Sequence, residues 1–451
     1  MKITFKKIVS YILQIESRLV LWKYRPKIIA ITGSVGKTST KDAVYAVISG
    51  VSYVRKSEKS FNSEIGLPLT ILGCPNGWNN PYIWFSNILK GFWLFLWPHK
   101  YPKWLVLEVG IGKPGDMNRT ASWLKTDAVI ITAIGETPAH IEFFDSHKHL
   151  VEEKGGLIKT LKRDGLLILN NDDEIVSEMK TKTKNRVLTF GFKEDSDIKG
   201  SGDSIFYSDE GIPEGLIFRI DEEGNSFPVL IEGVFGRNHV YASLGALTLS
   251  SGLKLNMLDA VNKLKNYNVP PGRMRLLKGI NDSLIIDDTY NSSPFACQSA
   301  LRTLGEVKNI GPARNASGIA DAGGRKIAVL GDMLELGKHT EEAHKNVGKV
   351  VKENADLLVV VGARAKKIKE GAIEAGMNEK THADGGASIY EFLDSQEAGE
   401  FLKTFVQKND LILIKGSQGM RMEKAVEAIL LDQKNKKNLL VRQDEEWKKK
   451  R

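Results

Sequence analysis

Apolar and polar positions along this chain alternate between two periods. Short β-branched or leucine-rich runs at Ile28–Thr32, Trp104–Val109, Ala128–Ala133, Leu166–Asn170 and Val187–Phe190 are separated by stretches of helical character. That alternation predicts a mainly parallel sheet covered by helices. From 203 to 235 the runs shorten to Ile205–Tyr207, Leu216–Ile220 and Phe227–Ile231, with Gly211, Gly215 and Gly224 between them. This predicts a small antiparallel β-meander, followed by a helix near His239–Ser251. Tyr-Asn-Val-Pro-Pro-Gly at 267–272 marks a boundary. Strands at Leu284–Asp287, Lys326–Leu330, Leu357–Val361 and Leu411–Lys415 then restart the alternation. The expected fold class is α/β: a central P-loop domain with a mainly parallel sheet and a meander over 27–268, then a second doubly wound, Rossmann-like domain over 269–432.

Residues 1–26 predict one amphipathic helix, with Val9, Ile12, Leu13, Ile15, Leu19 and Leu21 among Lys6, Lys7, Glu16, Arg18 and Lys23. Packing on the central domain is the first reading and a basic interfacial helix the second. Residues 78–104 hold five of the eight tryptophans, and Phe92–Trp97 is flanked by Lys90 and Lys100. That insert suits a membrane interface, or equally a cover for the central domain or a partner's surface. Residues 307–325 read as a loop and 433–451 as a basic tail.

The 451 residues exceed one ordinary core, so two or three domains are expected. Net charge is +9, which suits anionic substrates, an anionic membrane surface or simply a solvated basic face. No groove-reading or base-stacking module points to nucleic acid. The two cysteines, Cys74 and Cys297, exclude a disulfide framework and suit a reducing cytoplasm. No signal peptide and no uncharged apolar run of spanning length is present, so a cytoplasmic protein is expected.

The first strand opens the most informative stretch, Lys-Ile-Ile-Ala-Ile-Thr-Gly-Ser-Val-Gly-Lys-Thr-Ser-Thr-Lys-Asp at 27–42. A strand, a glycine turn and a helix together cradle nucleotide phosphates. Gly33 and Gly36 let backbone N–H groups close on the oxygens, and the helix N-terminus favours negative charge. Lys37 is placed for the β- and γ-phosphates and the Thr38 hydroxyl for Mg²⁺. The loop is tighter than the common G-x-x-x-x-G-K-[ST], since Ile31 stands where that pattern has its first glycine.

Other candidates are weaker singly. Glu108 ends an otherwise apolar strand beside this loop, a position suited to Mg²⁺. His140 follows another strand end and Lys154 lies fourteen residues on; alone, each reads as structural or solvated. Asn170–Asp173 reads as a turn. In the second domain Arg273 is a multidentate cation suited to a migrating phosphoryl group. Asp287, Asp288, Tyr290 and Asn291 follow a strand and suit ribose and substrate contacts. Gly331–Gly337 with His344, and Lys415–Gly419, are strand-end loops where open α/β sheets bind ligands, or solvated turns.

Taken together and in order, these motifs resemble the Mur ligases of peptidoglycan synthesis over about Lys27–Glu423, and within them the type that adds D-alanyl-D-alanine. Asn62–Thr70, Asp287–Pro294, Leu330–Gly337 and Lys415–Ser417 with Met420 and Met422-Glu423 carry the resemblance beside the phosphate loop. It implies an ATP-dependent amide ligase joining D-Ala-D-Ala to a UDP-N-acetylmuramoyl-tripeptide through an acyl phosphate. Gly33, Ser34, Gly36, Lys37, Thr38 and Ser39 would then hold ATP, with Asn238, His239, Arg273 and Asp288. Two Mg²⁺ ions would sit on Thr38, Glu108, His140 and a carbamylated Lys154. Asn62, Tyr290, Asn291, Asp332 and Glu335 would meet substrate. Lys37, His140, Lys154 and Arg273 would carry the chemistry in a monomer whose domains close over the acyl phosphate.

Two features depart from the family pattern. Only 26 residues precede the phosphate loop's strand, where the family usually has a UDP-binding domain. The adenine-contacting stretch, usually Gly-x-His-Asn-x-x-Asn, reads Gly236-Arg-Asn-His-Val-Tyr-Ala242. Two other readings therefore stay open: a related ligase with another acyl acceptor, of the polyglutamate or amino-acid-polymer type, and a nucleotide-binding scaffold at a membrane.

Overall fold

The computed structural model describes residues 3–58, 61–135, 143–308, 324–379 and 388–448. The chain divides into two compact units: Met1–Ser201 with Arg219–Val229 and Asn238–Asn268, and Gly202–Phe218 with Leu230–Arg237 and Val269–Arg451.

The first unit opens with α1 (Ile3–Tyr24), β1 (Lys27–Thr32), α2 (Lys37–Ser49), β2 (Val54–Lys56), α3 (Gly66–Leu72), α4 (Pro81–Leu96) and β3 (Trp104–Glu108). It continues through α5 (Asp116–Ala121), β4 (Thr126–Ile131), α6 (His147–Gly155), β5 (Leu161–Asn170), α7 (Glu174–Ser177) and β6 (Arg186–Gly191). Strands β7 (Ile198–Tyr207), β8 (Pro213–Glu222) and β9 (Asn225–Glu232), of which Gly202–Phe218 and Leu230–Glu232 fall in the second unit, precede α8 (Arg237–Gly252) and α9 (Met257–Leu264). The strands form one nine-stranded sheet in the order β2-β3-β1-β4-β5-β6-β7-β8-β9. The turns joining β7 to β8 and β8 to β9 are too short for a crossover, so these strands run antiparallel, as their alternation predicts. Central β1 is parallel to both β3 and β4, pairing Ile31 with Glu108 and Thr32 with Ile131. The carboxyl ends of the three strands therefore open together.

Successive β1 residues point to opposite faces of the sheet. Ile28 and Ala30 share a core with Leu105 and Leu107 of β3, Leu67 and Leu69 of α3, and Val9, Leu13 and Val20 of α1. The N-terminal helix is thus part of the first unit's core. Its buried face differs from expectation: Ile15 and Leu19 are 39% and 38% exposed, whereas Ser17 and Val20 are fully buried. Leu13, Ser17 and Val20 recur at helical spacing, and the Ser17 hydroxyl is satisfied by the Leu13 carbonyl at 2.7 Å, so a polar residue fits the seam.

Glu16 lies in the same seam, against α4. A Cβ on Gly91 would come within 2.2 Å of its Oε2, so the carboxyl lies directly against the α4 backbone. Oε2 has no hydrogen-bond partner among the described residues, and burial pushes the carboxyl up to about 7. A carboxyl raised above its ordinary value favours the protonated fold. The contribution is complete below about pH 4.5 and is lost as pH rises through about 7. Glu16→Gln is therefore expected to leave the melting temperature unchanged at pH 4.5 and to raise it by roughly 2–4 °C at pH 8. Differential scanning calorimetry at the two pH values checks this, and an equal shift at both would contradict it.

The second unit carries β10 (Arg275–Lys278), β11 (Leu284–Asp288), α10 (Pro294–Glu306), β12 (Lys326–Gly331), α11 (Thr340–Asn354), β13 (Leu357–Val361), α12 (Lys366–Glu374), β14 (Ile389–Phe392), α13 (Ser395–Phe405), β15 (Leu411–Lys415) and α14 (Glu423–Ile429). Its six-stranded sheet runs β10-β11-β15-β12-β13-β14, parallel except for β10. Ala328 and Leu330 pack with Leu301 and Val351 on one face, Ile327 and Val329 with Leu402 and Val426 on the other. This is the expected doubly wound arrangement. The edge strands β2, β10 and β14 escaped the pattern because three or four residues, several of them charged, carry too little alternation.

Residues 433–448, expected as a basic tail, fold back onto the second unit. Leu440 is buried in its core, and Arg442 donates to the carbonyls of Thr289 and Tyr290 and to Glu423. Among the described residues no helix is long and apolar enough to cross a membrane.

Candidate active site

The phosphate loop is built by constraints on either side of it. Gly33 (φ 147°) and Gly36 (φ 85°) adopt backbone conformations that favour glycine, and a Cβ on Gly33 would fall 2.1 Å from Thr132 Oγ1. Thr132 holds the loop's far side by donating to the Val35 carbonyl at 2.6 Å. Ser34 N and Val35 N donate to the Ala133 carbonyl. Gly36 in turn starts α2, which buries Thr38 and Ser39 in its first turn.

Two amines converge on this loop. Lys37 Nζ donates to the Gly33 carbonyl at 2.8 Å, and Lys154 Nζ donates to the same oxygen at 3.1 Å. Lys154 is buried, and burial first, then the Lys37 charge, holds its amine well below the usual lysine range. The neighbouring acids do not reverse this. Glu153 turns away to accept from Met117 N at 2.8 Å, and Glu152 is exposed.

Glu108 is buried at the end of β3. Thr38 Oγ1 donates to its Oε2 at 3.0 Å and Asn62 Nδ2 to its Oε1 at 3.1 Å, while Ser57 Oγ accepts from its backbone N–H. Asn62 thus lies beside the metal candidates. A carboxylate and a hydroxyl are hard oxygen donors of the kind Mg²⁺ takes, and their burial at a phosphate loop fits that ion. Among the described residues no three His, Cys, Asp or Glu side chains gather as a further cage. His140 lies outside the described residues. Past the end of β4, Asp173 Oδ2 accepts from Ile134 N and Gly135 N, so this apparent turn residue holds the described end of that strand.

The adenine candidates separate. His239 is buried, with Nδ1 2.9 Å from the Tyr267 hydroxyl, so its ring belongs to the core, whereas Asn238 is half-buried.

In the second unit, Asp287 accepts from Gly272 N and from the Thr289 hydroxyl, and burial pushes its carboxyl up to about 6. Asp288 is occupied on both oxygens, by Met274 N at 3.2 Å and Lys415 Nζ at 2.6 Å. A ribose hydroxyl would have to share them. Lys415 also donates to the Asn291 carbonyl, which ties the Lys415–Gly419 loop to the Asp-Asp-Thr-Tyr-Asn loop. The Arg273 guanidinium stacks 3.8 Å over the Tyr290 ring, with Arg442 5.8 Å from it on a chain segment that carried no sequence signal.

Asp332 is buried and accepts from Ala365 N at 2.7 Å, so it fixes the turn before α12; Glu335 is exposed with φ 64°. His344 accepts from Met333 N and donates to the Thr340 carbonyl, a neutral tautomer holding the Gly331–Gly337 loop, and burial lowers its pKa. Lys37, Thr38, Glu108, Asn62 and Lys154 are therefore brought together in the first unit, and Arg273, Asp288, Tyr290 and Asn291 in the second.

The chain is 28% identical to the UDP-N-acetylmuramoyl-tripeptide--D-alanyl-D-alanine ligase of Bacillus subtilis over 93% of this chain and 79% of that protein. It is 26% identical to the ligase of the same name from Buchnera aphidicola, over 92% and 79%. Its fold matches the MurF ligase of Thermotoga maritima in complex with ADP, at 24% identity and TM-score 0.72, covering 93% of this chain and 83% of that one. The Mur ligase middle domain matches residues 31–249, and the Mur ligase glutamate ligase domain matches 272–418. With phosphate loop, Glu108 and Lys154 inside the first match and Arg273 and Asp288 inside the second, the chain belongs to the Mur ligase family.

Proposed function

We propose that this chain is an ATP-dependent amide ligase that joins D-alanyl-D-alanine to a UDP-N-acetylmuramoyl-tripeptide, the reaction named in its relatives. The observation that carries the reading is the convergence of Lys37 and Lys154 on one carbonyl oxygen of the phosphate loop, beside the Thr38–Glu108 pair. A phosphate loop needs one fixed cation, and Lys37 serves. A second amine, buried and held well below the usual lysine range, has a different use. It can attack CO₂, lose a proton and become a carbamate, an anionic oxygen ligand in place of an amine.

In the ligation, a carboxylate oxygen of the tripeptide forms a bond to the γ-phosphorus as the bond to ADP breaks. The amine of D-Ala-D-Ala then attacks the acyl carbon, gives up a proton and expels inorganic phosphate. Lys37 holds negative charge on the phosphates through the first step, and Arg273 is assigned to the migrating phosphoryl group. Magnesium, where bound, neutralises phosphate charge; Thr38 and Glu108 would hold one ion, and His140 with carbamylated Lys154 a second.

The test is phosphate release from ATP with UDP-MurNAc-tripeptide, with and without D-Ala-D-Ala. Sustained release is expected only with both acceptor and amine. No turnover with this pair, but turnover with glutamate or other peptides, would replace the acceptor and retain the ligase.

A further inference from the structure

Helices α1 and α4 lie side by side in the first unit and run in the same direction. Glu16 meets Gly91, and seven residues on Lys23 Nζ donates to the carbonyls of Leu94, Phe95 and Trp97, closing the end of α4 with a cation. Their inner faces enter the core through Val9, Leu13, Val20 and Trp84. Their outer faces are apolar as well. On α1, Ile8, Tyr11, Ile15, Leu19 and Trp22 recur at helical spacing. On α4, Tyr82, Phe85, Leu89, Phe92, Trp93 and Leu96 do the same, ending at Trp97. Twelve of the 21 exposed large apolar side chains among the described residues are these. Tyr82 is 83% exposed, Trp22 68% and Tyr11 65%. A monomeric protein rarely leaves such a patch to water.

The charge around the patch says what it faces. Residues 1–26 carry Lys2, Lys6, Lys7, Arg18, Lys23 and Arg25 against one acid, Glu16. Between Glu64 and Glu108 stand Lys90, Lys100 and Lys103 and no acid. These two stretches thus hold eight of the chain's nine net positive charges. The single acid points into the α1–α4 seam, away from the patch, and burial favours its neutral form. Exposed Lys7, Arg18, Lys90 and Lys100 border the aromatic stripes. Tryptophan and tyrosine over an apolar face, rimmed by lysine and free of carboxylates, are suited to the boundary between headgroups and acyl chains. Neither helix is long and apolar enough to span.

We propose that the outer face of the α1–α4 pair is an in-plane membrane-docking surface that seats the first unit on a bilayer rich in anionic lipid. The aromatic and aliphatic side chains enter the acyl boundary, and the lysines and arginines meet lipid phosphates. This goes beyond the ligase reading and does not depend on it.

The test uses the full chain and vesicles of phosphatidylcholine with or without phosphatidylglycerol. Flotation is expected with the anionic vesicles, at least tenfold stronger than with neutral ones and weakened by high salt. The tryptophan emission should shift to the blue and be quenched by brominated acyl chains. The quadruple variant Trp22→Ser, Phe85→Ser, Leu89→Ser, Phe92→Ser should lose at least tenfold in binding while keeping its melting temperature, since all four side chains are exposed. Lys7→Glu with Arg18→Glu should also lose binding, through charge alone. Equal binding to both vesicles, or none to either, overturns the proposal. So does a dimer in sedimentation that the quadruple variant splits, because a second copy would then own the face.

Discussion

Lys154→Ala is expected to lower ligase turnover by about a hundred- to a thousandfold, the usual loss when one charge-stabilising group leaves a phosphoryl or acyl transfer site. The side chain is buried, touches the phosphate-loop carbonyl of Gly33, and has its amine held well below the usual lysine range by burial and then by Lys37. Folding does not need such an amine. A lysine lowered below its ordinary value costs stability at every pH where the unfolded chain would hold the proton, and that cost shrinks as pH rises toward the ordinary lysine value. Lys154→Met, which keeps the volume without the amine, is therefore expected to melt no lower than the parent at pH 7 and still to be inactive. Bicarbonate enriched in a heavy carbon isotope should give a carbamate resonance in the parent that both variants lack. Parent-like rates in Lys154→Ala would remove the lysine from the chemistry. An inactive Lys154→Met without a carbamate signal in the parent would leave the amine as a simple cation.

Glu108→Gln is expected to cost about a hundredfold in turnover and to raise the Mg²⁺ concentration needed for half-activity about tenfold. Glutamine keeps the shape of the buried side chain and an acceptor for Thr38 Oγ1, so the strand end should hold; what it loses is the negative charge beside the phosphate loop. Titration of activity with Mg²⁺ at saturating ATP separates the effects. An unchanged half-activation point with reduced turnover would make Glu108 a scaffold for Thr38 and Asn62 and not a metal ligand.

Much of this was legible in the chain because it rests on local pattern. The strand–glycine–helix signature located the phosphate loop, since both its φ values and its close approach to Thr132 demand glycine at 33. An acid ending the apolar run Leu105–Leu107 announced Glu108 because an unpaired carboxylate there would be costly. What stayed hidden depends on tertiary contact. Nothing near Lys154 in sequence reports its burial beside Lys37, and the adjacent Glu152 and Glu153 pointed the other way until Glu153 proved bound to Met117 N. His239 looked like a ligand residue because motif position cannot tell a core histidine paired with Tyr267 from an exposed one. Arg442 was unreadable within a basic stretch, though it grips the loop that carries Tyr290. On α1, periodicity found the helix but not which of its two apolar faces the core would take, and the second face is the one left exposed.

Ligation by this site requires that a carboxylate be activated as an acyl phosphate before the amide forms. The direct measurement is oxygen transfer. UDP-MurNAc-tripeptide whose terminal carboxylate is enriched in a heavy oxygen isotope is turned over with ATP and D-Ala-D-Ala, and the inorganic phosphate is analysed by mass spectrometry. One heavy oxygen atom is expected in each phosphate released, because the carboxylate oxygen that attacks phosphorus leaves with it. Unlabelled phosphate alongside newly formed amide would contradict it.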